Sequence, residues 1–248
     1  MESDNYLQVL GSGDAFGSGG KNQTAFFVKT AELNFLIDCG AHTLSSLKKN
    51  NLSSSDVDVI VLSHFHGDHY AGIPYLLIDA AVVAKRKKKL TIISPADGEW
   101  KIRQLFHLLY PGSENVVEEL NLEFLTYDKY ETFKHEKFSL TAFPAAHSQA
   151  VFPHSIKLAV GDRIISYSGD TAWTEDLIEV AKNANIFICE CNFFSTELEG
   201  HLNYKLLEEK QTLFKCDRIL LTHLGDEALE RRDEIALEIC EDNQIYAF

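Results

Sequence analysis

The chain has 248 residues, 45% of them hydrophobic and 24% charged, which is enough to bury a sizeable core and too apolar for wholesale disorder. Its formal net charge of −14 excludes the electrostatic wrapping of a long nucleic acid, but not a small anionic substrate drawn to a local cluster of cations. No apolar run approaches the ~20 residues that span a bilayer, residues 1–9 carry no signal-peptide pattern, and the five cysteines form no CxxC pair, so free thiols in the reducing cytoplasm are expected.

Residues 6–10 read as a strand that runs into the glycine-rich loop 11–20. No GK[ST] follows that loop and no helix is evident after it, so it reads as backbone lining the mouth of a site and not as a phosphate cradle. Residues 24–29 and 33–38 read as paired strands, the second ending at Asp38, and 42–49 as a short polar helix. The apolar, β-branched run 57–62 reads as a buried strand. It leads into Ser63-His64-Phe65-His66-Gly67-Asp68-His69, which sets three imidazoles and a carboxylate within six residues. In extended chain His64 and His66 point the same way, and Gly67 is expected to turn the backbone so that Asp68 and His69 come round to a neighbouring position. Two nitrogens on one side, with an oxygen and a nitrogen on the other, suit a pair of borderline-soft cations.

Residues 70–84 read as a buried helix closed by the basic run 85–89, a solvated end favoured by the helix macrodipole. Strands are expected at 90–94, 123–127 and 138–143, with a helix at 99–110; the last of these strands leads to His147. A hairpin of 155–160 and 163–168 ends at Asp170, and a helix at 173–183 follows. Strand 186–189 carries Glu190 at its end, His201 precedes a helix at 204–215, and strand 218–222 carries His223 at its tip. An acidic helix and a last strand at 245–248 complete the chain. Cys189 and Cys191 read as one buried thiol and one facing the opposite layer, in preference to a metal pair. His42, His107, His135 and His154 read as surface or structural residues. His147, Asp170 and His223 fall just after strands, as His64 does, so strands ending on one edge of packed sheets would deliver all four to one rim. No short-period repeat, low-complexity tract or linker interrupts residues 1–248, which are expected to form a single domain.

The series His64-x-His66-x-Asp68-His69, then His147, Asp170 and His223, resembles the metal-ligand series of the metallo-β-lactamase fold hydrolases, in order and strand-end placement across nearly the whole chain. The resemblance implies an α/β fold, an αββα four-layer sandwich of two mixed β-sheets flanked by helices, with a dinuclear site along one edge. It implies that His64, His66 and His147 hold the first metal, that Asp68, His69 and His223 hold the second, and that Asp170 bridges both. The ions would be divalent, with zinc expected and manganese, iron or nickel compatible with the ligand types. Asp68 would ligate through one oxygen and accept a proton from the bridging water with the other. Asp38 would orient a ligand side chain by hydrogen bonding.

Within that superfamily, the strand end 188–192 and the loop Gly200-His201-Leu202-Asn203 are similar to those of ribonuclease Z-like phosphodiesterases. This implies His201 as general acid or phosphate stabiliser, with Glu190 as its partner. Bacterial transfer-RNA-processing members insert a long arm between the positions of His147 and Asp170, where this chain has room only for a hairpin. The expectation is a dinuclear metal-dependent phosphodiesterase that cleaves a small or cyclic phosphodiester through a metal-bridging hydroxide. The nearest relatives suggest a homodimer. Three alternatives stand beside it: a ribonuclease Z-type RNA 3′-processing endonuclease, an acyl hydrolase of thioesters or lactones, and a metal-dependent ligand carrier without turnover.

Overall fold

The computed structural model describes residues 5–248. Strands β1 (Tyr6–Gly11), β2 (Ala25–Lys29), β3 (Asn34–Ile37), β4 (Val59–Val61), β5 (Leu90–Ser94) and β6 (Leu122–Thr126) form one sheet. Strands β7 (Thr132–Lys134), β8 (Ser139–Pro144), β9 (His154–Val160), β10 (Arg163–Tyr167), β11 (Ile186–Glu190), β12 (Ile219–Thr222) and β13 (Glu238–Ile239) form a second. Strand β14 (Ile245–Ala247) returns to the first sheet beside β1, giving the orders β14-β1-β2-β3-β4-β5-β6 and β13-β12-β11-β10-β9-β8-β7. Each sheet begins with antiparallel pairs and changes to parallel pairing, at β3–β4 in the first and at β10–β11 in the second. The two halves of the chain thus repeat one mixed topology, a repeat carried by pairing and not by sequence period.

Side-chain alternation builds the layers. In β4, Val59 and Val61 face the cluster between the sheets while Ile60 joins the cluster on the outer face, as the two-residue period of a strand requires. In β11, Ile186 and Ile188 face inward and Phe187 and Cys189 outward. The central cluster joins residues of both sheets, such as Phe26, Phe35, Leu140 and Tyr167. The first sheet's outer face is covered by α1 (Thr43–Lys49), α2 (Gly67–Tyr70), α3 (Ile73–Val82), α4 (Gly98–Leu109) and α5 (Glu114–Glu118). The second is covered by α6 (Asp176–Ala181), α7 (Tyr204–Lys210) and α8 (Asp226–Glu230). Two seven-stranded mixed sheets between helical layers make the four-layer αββα sandwich.

Several local expectations need correction. The helix expected over 70–84 is two helices, α2 and α3, interrupted at Ala71-Gly72. Gly72 sits where a Cβ would stand 2.1 Å from the Gly40 carbonyl oxygen, so the helix break lets the chain pass against the end of β3. Gly67 has no such duty: a Cβ there would meet open space, and the turn after His66 is the first turn of α2. The basic run 85–89 is not a solvated helix end, because α3 stops at Val82 and Arg86 is buried, donating to the carbonyls of Ser55, Lys88 and Lys89. Cys189 and Cys191 share the outer cluster of the second sheet, since residues two apart in extended chain point the same way. The short elements α5, β7 and β13 were not expected, each being too brief to show a period.

Candidate metal centre

Strand ends β4, β10, β11 and β12 meet at one rim. His64 and His69 are fully buried, and Asp68, Asp170 and His223 nearly so, while His66, His147 and His201 are half-buried. Potential ligand atoms of His64, His66, His147 and Asp170 lie within 4.8 Å of one another, as do those of Asp68, His69, Asp170 and His223. Asp170 belongs to both clusters and so joins them. Its Oδ2 is 3.8 Å from His64 Nε2 and 3.4 Å from His223 Nε2, and its Oδ1 is 3.3 Å from His69 Nε2. Asp68 Oδ2 lies 3.1 Å from His69 Nε2 and 3.3 Å from His223 Nε2.

The imidazoles are held from behind. Asp38, fully buried, accepts hydrogen bonds from the Ser63 amide, the Ser63 hydroxyl and His69 Nδ1, each at 2.7 Å. With the Ser63 proton committed to Asp38, Ser63 Oγ accepts from His64 Nδ1 at 2.9 Å. His147 Nδ1 donates to the Gly200 carbonyl at 2.9 Å. These bonds occupy the Nδ1 atoms and leave the Nε2 lone pairs of His64, His69 and His147 for the cluster. Asn192 Nδ2 donates to the His223 carbonyl at 3.0 Å and stands 3.2 Å from its Nδ1. Ser63, Gly200 and Asn192 were assigned no role from the sequence, although each lies within two residues of one that was. Asp38 and His223 both hold left-handed backbone, at φ 55° and 60°, which is uncommon outside glycine and points each side chain away from the path of its strand.

Fit to a cation can be judged from atoms with nothing to bond. His64 Nε2, His69 Nε2 and Asp170 Oδ1 are buried and lack a hydrogen-bond partner among the described residues. Buried polar atoms rarely go unsatisfied, and here they converge on shared points. The electrostatics agree. Burial pushes the Asp170 carboxyl up, but the imidazoles of His223 and His69 hold it well below the usual carboxylate range. Burial acts the same way on Asp68, and His69 and His223 again bring it down. Burial pulls His223 down, yet Asp170 and Asp68 raise it to about 9. The carboxylates thus favour positive charge beside them, which a cation between the clusters would supply. The nitrogen and carboxylate donor set fits divalent ions.

A third cluster adjoins these two: Glu190, His201 and His223. Glu190 is fully buried, and its Oε1 accepts from the Thr171 amide at 2.8 Å and from His201 Nδ1 at 3.0 Å. Burial lowers the His201 pKa, but the hydrogen bond and charge of Glu190 outweigh it and the net shift is upward. Burial dominates at Glu190 itself, whose pKa is raised. The His201 ring lies nearly parallel to that of His223, with centroids 5.6 Å apart, and its Nε2 edge is left free of Glu190.

The clusters floor a cavity of about 670 Å³, walled by Ala15, Phe16, Ala71, Phe193 and Leu198. The glycine-rich loop does line this mouth, through Ala15 and Phe16. The remaining histidines stay out of the clusters: His42 is exposed, His107 pairs with Glu114, His135 stacks on Phe138, and His154 meets Tyr127 edge-on.

Fold and site together define a metallo-hydrolase of the metallo-β-lactamase fold, similar to ribonuclease Z. The chain belongs to the family described as "Anti-Pycsar protein Apyc1", whose model matches residues 5–246. It is 27% identical over 236 residues to the anti-Pycsar protein Apyc1 of Bacillus phage BSP38, covering 89% of each chain. It is 28% identical over 232 residues to ribonuclease Z of Ignicoccus hospitalis, covering 75% of this chain and 74% of that one. Among solved structures it resembles the metallo-β-lactamase fold protein YhfI of Bacillus subtilis, with a TM-score of 0.77 at 21% identity over 98% of this chain and 99% of that one.

Proposed function

We propose that the protein is a dinuclear metal-dependent phosphodiesterase acting on a small or cyclic phosphodiester. The observation that carries this reading is the buried Glu190 holding His201 beside the two ligand clusters, with Nε2 left free to give a proton. His64, His66, His147 and Asp170 would hold one ion, and Asp68, His69, His223 and Asp170 the other, zinc being the expected metal. Bound divalent ions lower the pKa of water to near neutrality and polarise phosphoryl oxygens. Asp68, one of the residues that would hold the second ion, would also accept the proton of the attacking water. As the bond from the water oxygen to phosphorus forms, the bond to the leaving oxygen breaks, and His201 Nε2 would deliver its proton there. Glu190 keeps the imidazole aimed, and its charge supports the protonated form.

A small or cyclic phosphodiester suits the cavity, which has the volume of a small-molecule site. The similarity to ribonuclease Z supports RNA as a second reading. Against it, no lysine or arginine lines the cavity among the described residues, and a hairpin, β9–β10, fills the interval between His147 and Asp170.

The test is a panel of metal-loaded assays with a 3′,5′-cyclic nucleotide, a bis-aryl phosphate, a thioester, a lactone and a precursor transfer RNA. Turnover of the first two is expected; efficient turnover of thioester, lactone or RNA alone would overturn the reading. Within the phosphodiesters, His201→Ala should lower kcat by ~10²–10⁴-fold for a poor leaving group and far less for a nitrophenyl ester. Equal losses on both would remove the acid role.

A further inference from the structure

Five of the chain's 23 lysines and arginines fall together in residues 85–89. β4 and β5 run parallel, with Val59 beside Thr91, and His64 follows the far end of β4. The segment that enters β5 at Leu90 therefore lies at the opposite edge of the sheet from the clusters. It is folded, not loose. Lys85 holds left-handed backbone at φ 48°, and the Arg86 amide donates to the Ala80 carbonyl at 2.8 Å, so the chain turns back over the last turn of α3. The buried Arg86 guanidinium faces inward, to the carbonyls of Ser55, Lys88 and Lys89. Fixed by that contact, the segment leaves Lys85, Lys87, Lys88 and Lys89 exposed.

Carboxylates that touch this edge are already engaged. Glu123 pairs with Lys89 at 2.9 Å. Asp58 lies 4.0 Å from Arg86 and accepts from the Asn34 amide, and Asp79 accepts from Lys48 and Ser54. Lys85, Lys87 and Lys88 make no ion pair among the described residues. Just before them in the chain, Val82 is 54% and Val83 67% exposed. A nucleic-acid backbone or a purely acidic peptide would engage the lysines and leave the valines in water. A layer of anionic phospholipid engages both, with charged headgroups at its surface and acyl chain just beneath.

We infer that residues 82–88 dock the protein on an anionic phospholipid surface, with the metal-ligand rim turned to the aqueous side. The net charge of −14 is repelled by such a surface, so this basic edge is the one that approaches it. Attachment through three lysines and two valines is weak and reversible, and salt screens it. The inference is independent of the reaction carried out at the rim.

The experiment is co-sedimentation at low salt with vesicles of phosphatidylcholine and phosphatidylserine, compared with phosphatidylcholine alone. Native protein should partition onto the mixed vesicles only. Replacing Lys85→Gln, Lys87→Gln and Lys88→Gln together should lower the partition coefficient by roughly 100-fold, at about fivefold per lysine. The pair Val82→Ser and Val83→Ser should lower it by ~3- to 30-fold. All five side chains are exposed, so neither set opens a core cavity, and unchanged thermal midpoints check this. No partition of native protein, equal partition of the lysine variant, or equal binding to both kinds of vesicle would overturn the inference. So would binding of single-stranded RNA or polyglutamate that needs the lysines but not the valines, with no vesicle binding. Orientation gives a second readout, in a Cys216→Ser background because the other cysteines are buried. An environment-sensitive fluorophore on Val83→Cys should shift to the blue when vesicles are added, whereas one on Phe16→Cys, at the rim, should not. A shift at the rim position, alone or with the other, would contradict the proposed docking.

Discussion

Asp38 shows what a residue outside the ligand clusters contributes. Its carboxylate fixes His69 directly and His64 through Ser63, so one buried group sets the tautomer of an imidazole in each cluster. Ordering of this kind typically changes metal affinity by ~10–100-fold. Asp38→Asn keeps the size and tolerates the left-handed backbone, but sets an amide beside donors that need an acceptor. We expect metal affinity, measured by competition with a chromogenic chelator, to fall by about that factor while the fold is retained. Unchanged affinity would mean that the imidazoles are held by packing alone. At this scale the sequence was informative wherever ligand-type residues crowd one strand end, as in His64, His66, Asp68 and His69. Asp38 was legible as a strand-end carboxylate, but its link through Ser63 was not, because it depends on β3 and β4 lying side by side.

Among elements, the break between α2 and α3 decides how the floor of the site meets the sheet. The Gly72 amide donates to the Cys39 carbonyl at 2.8 Å, and the Cys39 amide donates to the His69 carbonyl, so this crossing clamps the His69 segment to the residue after Asp38. Gly72→Ala would drive a methyl group into the Gly40 carbonyl. We expect a loss of at least ~1–3 kcal/mol in denaturant-measured stability, the usual range for overpacking, accompanied by weaker metal binding. Stability within about 0.5 kcal/mol of the native protein would show that the two segments can part without consequence. The sequence supported one continuous helix here because the residues beyond the break, such as Ile73, Leu76 and Leu77, are apolar and buried throughout. Only the close approach of a distant backbone distinguishes a glycine that breaks the helix from one within it. Arg86 was misjudged for a related reason: its partners, the carbonyls of Ser54 and Ser55, lie on a segment 31 residues and more away.

For the molecule as a whole, buried protonated groups make a clear demand on pH. The thiols of Cys39, Cys189, Cys191 and Cys240 and the hydroxyls of Tyr127 and Tyr167 are buried, and burial raises all their pKa values, that of Cys39 from 9.0 to about 12. A raised folded-state pKa contributes stability in full below the unfolded value and loses it as pH climbs towards the folded one. The denaturation midpoint should therefore decline from about pH 9 upward; a midpoint that rises over that interval would contradict the burial of these groups. At this largest scale the sandwich was legible only through the resemblance carried by the ligand series, not from the strand pattern itself. The repeated mixed topology of the two sheets was not, since strand order is a property of pairing between segments far apart in the chain.

The expectations about metal binding and catalysis turn on the proposal that two cations share Asp170. Elemental analysis of protein purified without chelators, and again after removal and readdition of divalent metal, tests that claim most directly. Two ions per chain are predicted, falling to one or fewer in Asp170→Ala, because that carboxylate belongs to both clusters. Protein that carries no transition metal as isolated and takes up none on reconstitution would contradict it.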